Sequence, residues 1–406
     1  MSEPQPTPAA DATGERPLDG LVVLDLSRLL PGGYATMIMA DLGADVIKVE
    51  QPGRGDYIRF SPPYTSTGHS AAHEALNRGK RSITLDLKQP GGRDVLLDLV
   101  RGADVLVESF RPGVMDRLGV GHEALAEVNP RLVYVAISGY GADGPYRDRA
   151  GHDIDYLAYS GGLSFTGGHD GEPSQPGLQI GDLGGGGLMA VVAALSALRV
   201  REQTGRGQLC DVSMTDGAFS WLSIHAGDFA ATGRAPQVGR EPLNGGLACY
   251  GTYRCADDRW LAVGALEPQF FAVLAEAVGL DEQERGWHVD PARQDDLRAR
   301  LAEVFATRPR DEWAALLEPL DACVAPVLDV AEAFDDPQLR ARGMVVDDVL
   351  DDGTPFRRVG VVPRLEDTPG RPGRSPSALG ADTDDVLRAA GRSESDVAAL
   401  REAGVV

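Results

Sequence analysis

The sequence has few basic residues and few cysteines, which nucleic-acid-binding proteins and metal sites respectively need. Lys and Arg together number 39 against 61 Asp and Glu, which gives a formal net charge of −22. That balance argues against nucleic acid binding, because basic surface supplies most of the affinity for nucleic acids. The four cysteines include no CxxC pair and no His/Cys set at zinc spacing. We therefore expect no metal site and interpret all four as free, buried thiols.

Long apolar runs and a leader are also missing. We find no run of about 18 apolar residues, so we expect no membrane span. Residues 1–16 have neither the cationic start nor the apolar stretch of a secretory leader, and their composition predicts a disordered tail. A cytoplasmic location is the corresponding expectation. The 406 residues, 43% of them hydrophobic, are enough for more than one core.

Common nucleotide and catalytic fingerprints are absent too. The sequence contains no GxxxxGK[ST], HExxH or GxSxG motif. The turn after the first predicted strand reads SRLLPGGYA rather than GxGxxG, and the glycine run at residues 181–187 precedes a helix instead of following a first strand. We therefore expect no dinucleotide cofactor.

Buried strands and helices alternate in the first half of the chain. Apolar runs at residues 21–27 and 44–50 flank a helix that Gly43 ends. SITLDL, ADVLVES and RLVYVAIS predict further strands, and residues 91–101 predict a helix between the first two of them. Such alternation predicts an α/β fold with a parallel sheet.

Two helices are predicted at residues 187–201 and 214–231. After Gly233 the alternation of buried strands and helices ends, and a β-hairpin is predicted at 250–264 that turns at Asp257–Asp258. Further helices at 269–278, 296–307 and 310–317 predict a smaller α+β domain. The end returns to short strands and two terminal helices.

Four segments, read in order, resemble a known family. They are PLDGLVVLDLSRLLPGGYATMIMADLGADVIKVE, NRGKRSITLDLKQPGG, ADVLVESFRPGVMDRLG and NPRLVYVAISGYGADGP. They resemble the CaiB/BaiF-type family that unites α-methylacyl-CoA racemases with class III CoA-transferases. The resemblance implies a Rossmann-like large domain (17–232), an inserted small domain (233–340), and a C-terminal segment (341–406) that returns to the large domain. It also implies an interlocked homodimer, with the active site between the large domain of one chain and the small domain of the other.

Three motifs bear on the reaction. GHDIDYLAYSGGLS contains His152, IGDLGGGGLMA contains Asp182, and VGALEPQFF contains Glu267. The racemase branch carries His, Asp and Glu at these positions. The transferases keep the Asp, as a nucleophile that forms an acyl anhydride, and usually lack the other two motifs. The resemblance therefore favours a racemase of 2-methylacyl-CoA thioesters, with a CoA-transferase acting through Asp182 as the alternative.

Racemisation explains why these residue types are needed. Two acid/base groups must face opposite sides of one carbon, and imidazole and carboxylate are suited to this. Glu267 would orient His152, and backbone N–H groups at the helix start after Asp182 would bind the enolate oxygen. No cofactor is expected, because proton transfer alone needs none. The structural alternatives are a loop histidine at 152, a helix cap at Asp182 and a first-turn helix residue at Glu267.

Coenzyme A calls for cations, because it carries a 3′-phosphate and a pyrophosphate. The resemblance places CoA contacts at Lys88, Ser109, Phe110, Arg111, Arg117, Gly151, Asp153 and Tyr156. The basic NRGKR cluster is a further candidate for phosphate contact. Two positions depart from the racemase pattern: Gln51 stands where relatives often have Arg, with Arg54 beyond it, and Asn244 replaces an acidic residue.

Overall fold

The computed structural model describes residues 16–168 and 171–406. The predicted disordered tail therefore lies outside the described residues, except for Arg16. The described residues form two compact units. The first comprises the described residues up to Ala150, Gly181–Gly217 and Pro337–Val406, and the second those of Gly151–Ile180 and Ala218–Asp336. The second unit thus takes in residues 151–180 and 218–232, which we expected in the large domain. The inserted-domain arrangement and the interlocked dimer stay predictions.

Strands and helices are numbered along the chain. The strands of the described chain are β1 (Val22–Asp25), β2 (Asp45–Glu50), β3 (Arg81–Thr84), β4 (Val105–Glu108), β5 (Val133–Ser138), β6 (Leu209–Ser213), β7 (Tyr250–Arg254), β8 (Trp260–Gly264), β9 (Val324–Pro326), β10 (Val345–Val349) and β11 (Pro355–Val359). Its α-helices are α1 (Leu29–Asp41), α2 (Ala71–Leu76), α3 (Pro90–Arg101), α4 (Val114–Arg117), α5 (His122–Val128), α6 (Asp153–Ser160), α7 (Met189–Thr204), α8 (Met214–Ser220), α9 (Ser223–Thr232), α10 (Pro268–Ala277), α11 (Glu282–Arg285), α12 (Gln294–Phe305), α13 (Arg310–Leu317), α14 (Val330–Asp335), α15 (Pro337–Ala341), α16 (Thr383–Ala389) and α17 (Glu394–Glu402).

The first unit is built on a six-stranded sheet in the order β3-β2-β1-β4-β5-β6. All neighbouring pairs run parallel. Parallel strands are covered on both faces, which is why they read as apolar runs, and every residue of β4 is buried. The predicted α/β class with a parallel sheet is confirmed. Residues 337–406 add to the same core, where Val386, Leu387, Val397 and Val405 are buried.

Three local predictions were wrong. The segment 52–79, whose polar, Gly-, Pro- and Ser-rich sequence predicts one long loop, contains a 3₁₀ turn at Tyr57–Phe60 and helix α2. Strand β6 was missed, because its exposed and half-buried residues break the apolar run. The helix expected at 214–231 is divided into α8 and α9.

The second unit contains a three-stranded antiparallel sheet in the order β7-β8-β9. The predicted hairpin is confirmed as β7 and β8. Asp258 adopts a positive φ of 64° in its turn, a conformation that Asp tolerates better than most residues. A core that includes Leu261, Leu274 and Phe305 packs helices α10, α12 and α13 around this sheet.

One helical segment is longer and more apolar than we expected from the sequence, in which we found no apolar run of about 18 residues. Residues Ile180–Thr204 form 25 continuous helical residues, long and apolar enough to cross a membrane by length and composition. Half of their most apolar window is buried inside the protein. A buried helix of a globular core passes the same test, and α7 does pack against α1, β5 and β6.

The cysteine prediction holds only in part. All four thiols are free, and Cys249 and Cys255 are buried. Cys210 is half-buried and Cys323 is exposed, so the expectation that all four are buried was wrong.

Candidate functional site

A cavity of about 560 Å³ opens at the carboxyl ends of β1, β2, β3 and β4. Strand β1 lies between β2 and β4, so the chain turns to opposite sides of the sheet at this point. Doubly wound sheets bind ligands at such a switch point. The cavity is lined by Leu26, Ser27, Arg28, Leu29, Val49, Glu50, Gln51, Arg54, Gly55, Asp56, Tyr57, Leu85, Asp86, Leu87, Lys88, Ser109, Phe110, Arg111, Val114 and Leu118.

Four cations stand on the cavity wall: Arg28, Arg54, Lys88 and Arg111. Throughout residues 16–168 and 171–406, none of these four forms an ion pair. In a chain with a formal charge of −22, four uncompensated cations in one cavity make a local positive field. The cavity therefore suits a ligand with several negative charges.

The carboxylates on the same wall are already engaged. Glu50 is paired with Arg59 at 2.7 Å, and Asp56 with Lys48 at 3.0 Å. Burial by itself would raise the pKa of Glu50, but Arg59 and Lys48 outweigh it and lower the value to about 2. Asp86 accepts the backbone N–H of Lys88. These carboxylates do not neutralise the four cations of the wall, because Glu50 and Asp56 pair with other cations and Asp86 accepts a backbone N–H.

Arg28 is the wall residue that the sequence interpretation missed. Its guanidinium carbon lies 5.3 Å from the centre of the Tyr57 ring and 5.1 Å from that of Phe110. Its backbone N–H donates to Ser109 Oγ at 3.0 Å. Arg54 stacks on Tyr57 as well, at 4.9 Å. The available signal was Arg28's position directly after the first strand, in the turn SRLLPGG.

A buried ion network lies under the cavity floor. Asp25, fully buried, accepts from Ser27, Thr36 and Lys80, and Lys48 Nζ donates to the Ser27 carbonyl at 3.0 Å. Burial opposes ionisation of Asp25, but Lys48 and Lys80 hold its pKa well below the usual range. Burial lowers the pKa of Lys80 to about 8, although Asp25 opposes this. The network fixes the turn after β1 from below.

The NRGKR cluster is used in ion pairs of the protein itself. Its arginines and lysine were candidates for phosphate contact, with a solvated charged face as the alternative, and in the structure all three are engaged with carboxylates. Arg78 and Lys80 are buried, and Arg81 is half-buried. The pairs are Arg78 with Asp41, Lys80 with Asp25 and Arg81 with Asp45.

Several of the residues expected to bind CoA meet at the cavity. Lys88 follows β3, and Ser109, Phe110 and Arg111 follow β4, and all four line the wall. Arg117 is the last residue of α4 and is not among the lining residues, although Val114 of the same helix is.

Gly151, His152, Asp153 and Tyr156 belong to the second unit, around the start of α6. The Tyr156 O–H donates to the Gly151 carbonyl at 2.6 Å. His152 is the exposed N-cap residue, and the Asp155 carboxylate accepts its backbone N–H at 2.9 Å. The Asp155 carboxylate thus caps this helix start.

Asp182 lies in the first unit, inside a helix rather than before one. A π-helical segment, Ile180–Leu188, continues directly into α7, and Asp182 is half-buried in its first turn. We expected this helix to begin near residue 187. π-Helical turns are rare and frequently mark functional sites, because they widen the backbone at one point.

The glycines after Asp182 allow close packing. A Cβ at Gly186 would lie 2.8 Å from Met214 Cγ, and a Cβ at Gly187 would lie 2.9 Å from the Pro31 carbonyl oxygen. At these two positions the absence of a side chain allows the close approach of α1 and α8.

Glu267 and Asn244 belong to the second unit. Glu267 is the exposed N-cap of α10, directly before Pro268. Among the described residues, no hydrogen bond or ion pair joins Glu267 to His152. Asn244 donates to the Phe165 carbonyl and accepts the Glu241 N–H, both at 2.9 Å. Asn244, which stands where racemase relatives have an acidic residue, therefore binds two backbone groups of its own unit.

Known proteins resemble this chain over nearly its whole length. The CoA-transferase family III model matches residues 18–383. The alpha-methylacyl-CoA racemase of Mus musculus is 38% identical over 396 residues, covering 96% of this chain and 97% of that protein. The acetyl-CoA:oxalate CoA-transferase of Acetobacter aceti is 38% identical over 377 residues, covering 90% and 94%. The crystal structure of a CAIB/BAIF family protein from Brucella suis superposes with a TM-score of 0.81 at 32% identity, covering 93% of this chain and 100% of that one. The resemblance seen in the sequence is thereby confirmed, and the chain belongs to CoA-transferase family III.

Proposed function

We propose that this protein is a racemase that interconverts (2R)- and (2S)-2-methylacyl-CoA thioesters by moving the α-proton between two bases. The observation that carries the proposal is the cavity with four uncompensated cations at the switch point of the sheet. It has the charge to hold a CoA ester. The presence of His152, Asp182 and Glu267 in their three motifs favours isomerisation as the reaction, and a racemase is among the relatives that cover 96% of the chain.

The cavity has parts that suit each end of the nucleotide. Arg28, Lys88 and Arg111 offer donors to phosphate oxygens. The rings of Tyr57 and Phe110 offer flat surfaces for a base. Arg54, held on Tyr57 and lining the same wall, supplies the cation that Gln51 does not.

The proposed chemistry uses His152 and Asp182 as bases on opposite faces of the α-carbon. One base removes the α-proton, the thioester carbonyl becomes an enolate, and the other group returns a proton to the opposite face. N–H groups in the first turn of the helix that contains Asp182 are suited to bind the enolate oxygen, because a first turn leaves its N–H groups without intrahelical partners. Glu267 is proposed to orient His152.

Cofactor use, oligomeric state and location complete the proposal. Proton transfer and enolate stabilisation use only groups of the chain, so we propose activity without metal or organic cofactor. We also propose a homodimer, supported by α9, a ten-residue helix with no buried residue within the single chain. The cytoplasmic location, the disordered tail and the lack of nucleic acid or membrane partners stay predictions.

Hydrogen exchange tests the proposal directly. Each epimer of a 2-methylacyl-CoA ester would be incubated in D₂O with wild type, His152→Ala and Asp182→Ala, and α-deuteration and epimerisation measured separately. Both variants should lose about 10²–10⁴-fold in epimerisation, because every turnover needs both bases. Residual exchange should favour one epimer in one variant and the other epimer in the second. Near wild-type epimerisation by His152→Ala would refute the two-base proposal.

A CoA-transferase is the second candidate, because the Acetobacter aceti transferase is as similar in sequence as the racemase. There the Asp182 carboxylate attacks the thioester carbonyl, CoA thiolate leaves, and an acyl anhydride forms. The thiolate attacks the Asp182 carbonyl of that anhydride and releases the first acid, which leaves an aspartyl thioester. The second carboxylate displaces the thiolate to form a new anhydride, and the thiolate then attacks its acyl carbonyl, which gives the new CoA ester and frees Asp182. CoA transfer to free carboxylic acids without α-deuteration in D₂O would favour this candidate.

A further inference from the structure

Glu108 holds the loop that follows β4. It is the last residue of that strand, and only 7% of its surface is exposed. Its Oε2 accepts the backbone N–H of Phe110 at 2.6 Å, and its Oε1 accepts the Tyr134 O–H at 3.4 Å. The side chain therefore bends back over its own loop and fixes the backbone two residues further on.

That loop forms one wall of the 560 Å³ cavity. Ser109, Phe110 and Arg111 all line it. Ser109 Oγ accepts the Arg28 N–H, and the Phe110 ring stacks against the Arg28 guanidinium. The bond from Glu108 to the Phe110 N–H thus supports the orientation of two cavity cations, Arg28 and Arg111, without touching the cavity itself.

A second cavity, of about 230 Å³, is lined by both Glu108 and Phe110. It gives the carboxyl a space through which a proton can enter. In the part of the chain that the structure describes, Glu108 has no ion-pair partner, and Arg147, on the same wall, donates its Nε–H to the Ala142 carbonyl instead. The titratable and charged groups lining this cavity are Tyr134 of β5, Asp116 of α4, His122 of α5, Asp211 of β6, and Arg147 from the segment after β5.

This environment favours the neutral carboxyl. Burial raises the pKa of Glu108 to about 7, and the negative charges of Asp116 and Asp211 act in the same direction. The Phe110 N–H and the Tyr134 O–H only partly oppose them. Glu108 therefore changes charge near neutral pH. A hydrogen bond to an ionised carboxylate is roughly twice as strong as one to a neutral acceptor.

We propose that Glu108 is a positioning residue for the ligand loop, and that its ionisation tunes the affinity for CoA esters around neutral pH. The inference rests on the proposed function, since it takes the larger cavity as the CoA site. With Glu108 ionised, the Phe110 N–H is held most firmly and the loop is ordered for binding. With Glu108 protonated, the loop is held less firmly and ordering it costs part of the binding energy.

The test is calorimetric titration of CoA into wild type, Glu108→Gln and Glu123→Gln between pH 5.5 and 8.5. Gln keeps an acceptor for the Phe110 N–H but cannot ionise. The ratio of wild-type to Glu108→Gln affinity should fall about tenfold as the pH drops from 8 to 6, and taking the ratio cancels titration of the CoA phosphates. Glu123, exposed on α5, is the matched control and should follow wild type. In turnover assays Glu108→Gln should change KM more than kcat.

Tyr134→Phe provides a second measurement should Glu108→Gln fail to fold. Loss of the Tyr134 O–H removes one group that favours the carboxylate, so the midpoint of the pH dependence should move upward. An unchanged midpoint, parallel pH profiles for wild type and Glu108→Gln, or a ratio that rises at low pH would each overturn the positioning role. Wild type that binds no CoA at any pH would refute the proposed function and the inference with it.

Discussion

The guanidinium carbon of Arg28 lies 5.3 Å from the centre of the Tyr57 ring and 5.1 Å from that of the Phe110 ring. The three residues come from the turns after β1, β2 and β4, so parallel strands of the sheet bring them together. Arg28 has no ion-pair partner in the described chain, and the aromatic rings fix where its charge points. An arginine held in this way is ordered before a ligand arrives, which lowers the entropy cost of binding.

Arg28→Gln should weaken CoA binding about tenfold, because one charge-assisted contact to phosphate is lost. The matched control is Arg199→Gln, an exposed arginine on α7 that pairs only with Glu202 among the described residues. Calorimetric titration of CoA at low and moderate salt checks both variants. Equal affinity in wild type and Arg28→Gln would contradict the placement of phosphate beside Arg28.

His73 should make the fold sensitive to mild acid. It is buried, its Nε2 has no hydrogen-bond partner among the described residues, and burial lowers its pKa to about 3 from an ordinary 6.5. Between these values the unfolded chain binds a proton that the folded protein does not. The contribution of His73 to stability is therefore complete above pH 6.5 and is lost as the pH falls toward 3.

Glu108 has the opposite effect on the pH dependence of stability between pH 4.5 and about 7. Its pKa is raised from 4.5 to about 7, so its contribution is present below pH 4.5 and lost as the pH rises through 7. We therefore compare wild type with His73→Gln by urea unfolding. The wild-type free energy of unfolding should fall relative to the variant by up to about 1.4 kcal/mol per pH unit from pH 6.5 to 4.5. Parallel curves would show that His73 is not held neutral.

Gly187→Ala should lower the free energy of unfolding by about 1–3 kcal/mol, because the new methyl group meets the Pro31 carbonyl oxygen. Gly227→Ala in α9 is the control. A Cβ there has no neighbour within 4 Å in the described chain, and alanine is the better helix former by about 1 kcal/mol. Urea unfolding should thus show opposite signs for the two variants. A neutral Gly187→Ala would mean that α1 can move away from the glycine run.

Ile224→Asp should disrupt the proposed homodimer. Ile224 on α9 is 71% exposed and Phe229 of the same helix is 52% exposed, and a second copy would cover such exposed apolar side chains. Sedimentation velocity should show wild type as a dimer and the variant shifted toward monomer. Val330→Asp, at a position 75% exposed on α14, is the matched control and should remain dimeric. A monomeric wild type would refute the dimer.

The sequence by itself determined the family and most of the elements. Apolar runs such as those of β1 and β4 identify strands covered on both faces, and the order of four motifs identifies the family. Lys88 and Ser109–Phe110–Arg111 are named as ligand residues from the family resemblance, and the structure places all four on the wall of one cavity. Strand β6 escaped, because its half-exposed pattern gives no apolar run.

The tertiary structure decided which charges remain for a ligand. Lys80 and Arg28 are both basic residues in polar turns, yet Lys80 is buried against Asp25 whereas Arg28 lies on the cavity wall without an ion-pair partner among the described residues. Likewise Glu108 is one acidic residue among 61 until burial beside Tyr134 raises its pKa to about 7. Charge pairing and desolvation depend on residues distant in the chain that the strand order brings together. A local pattern fixes the type of a residue, and only the packed sheet fixes what surrounds it.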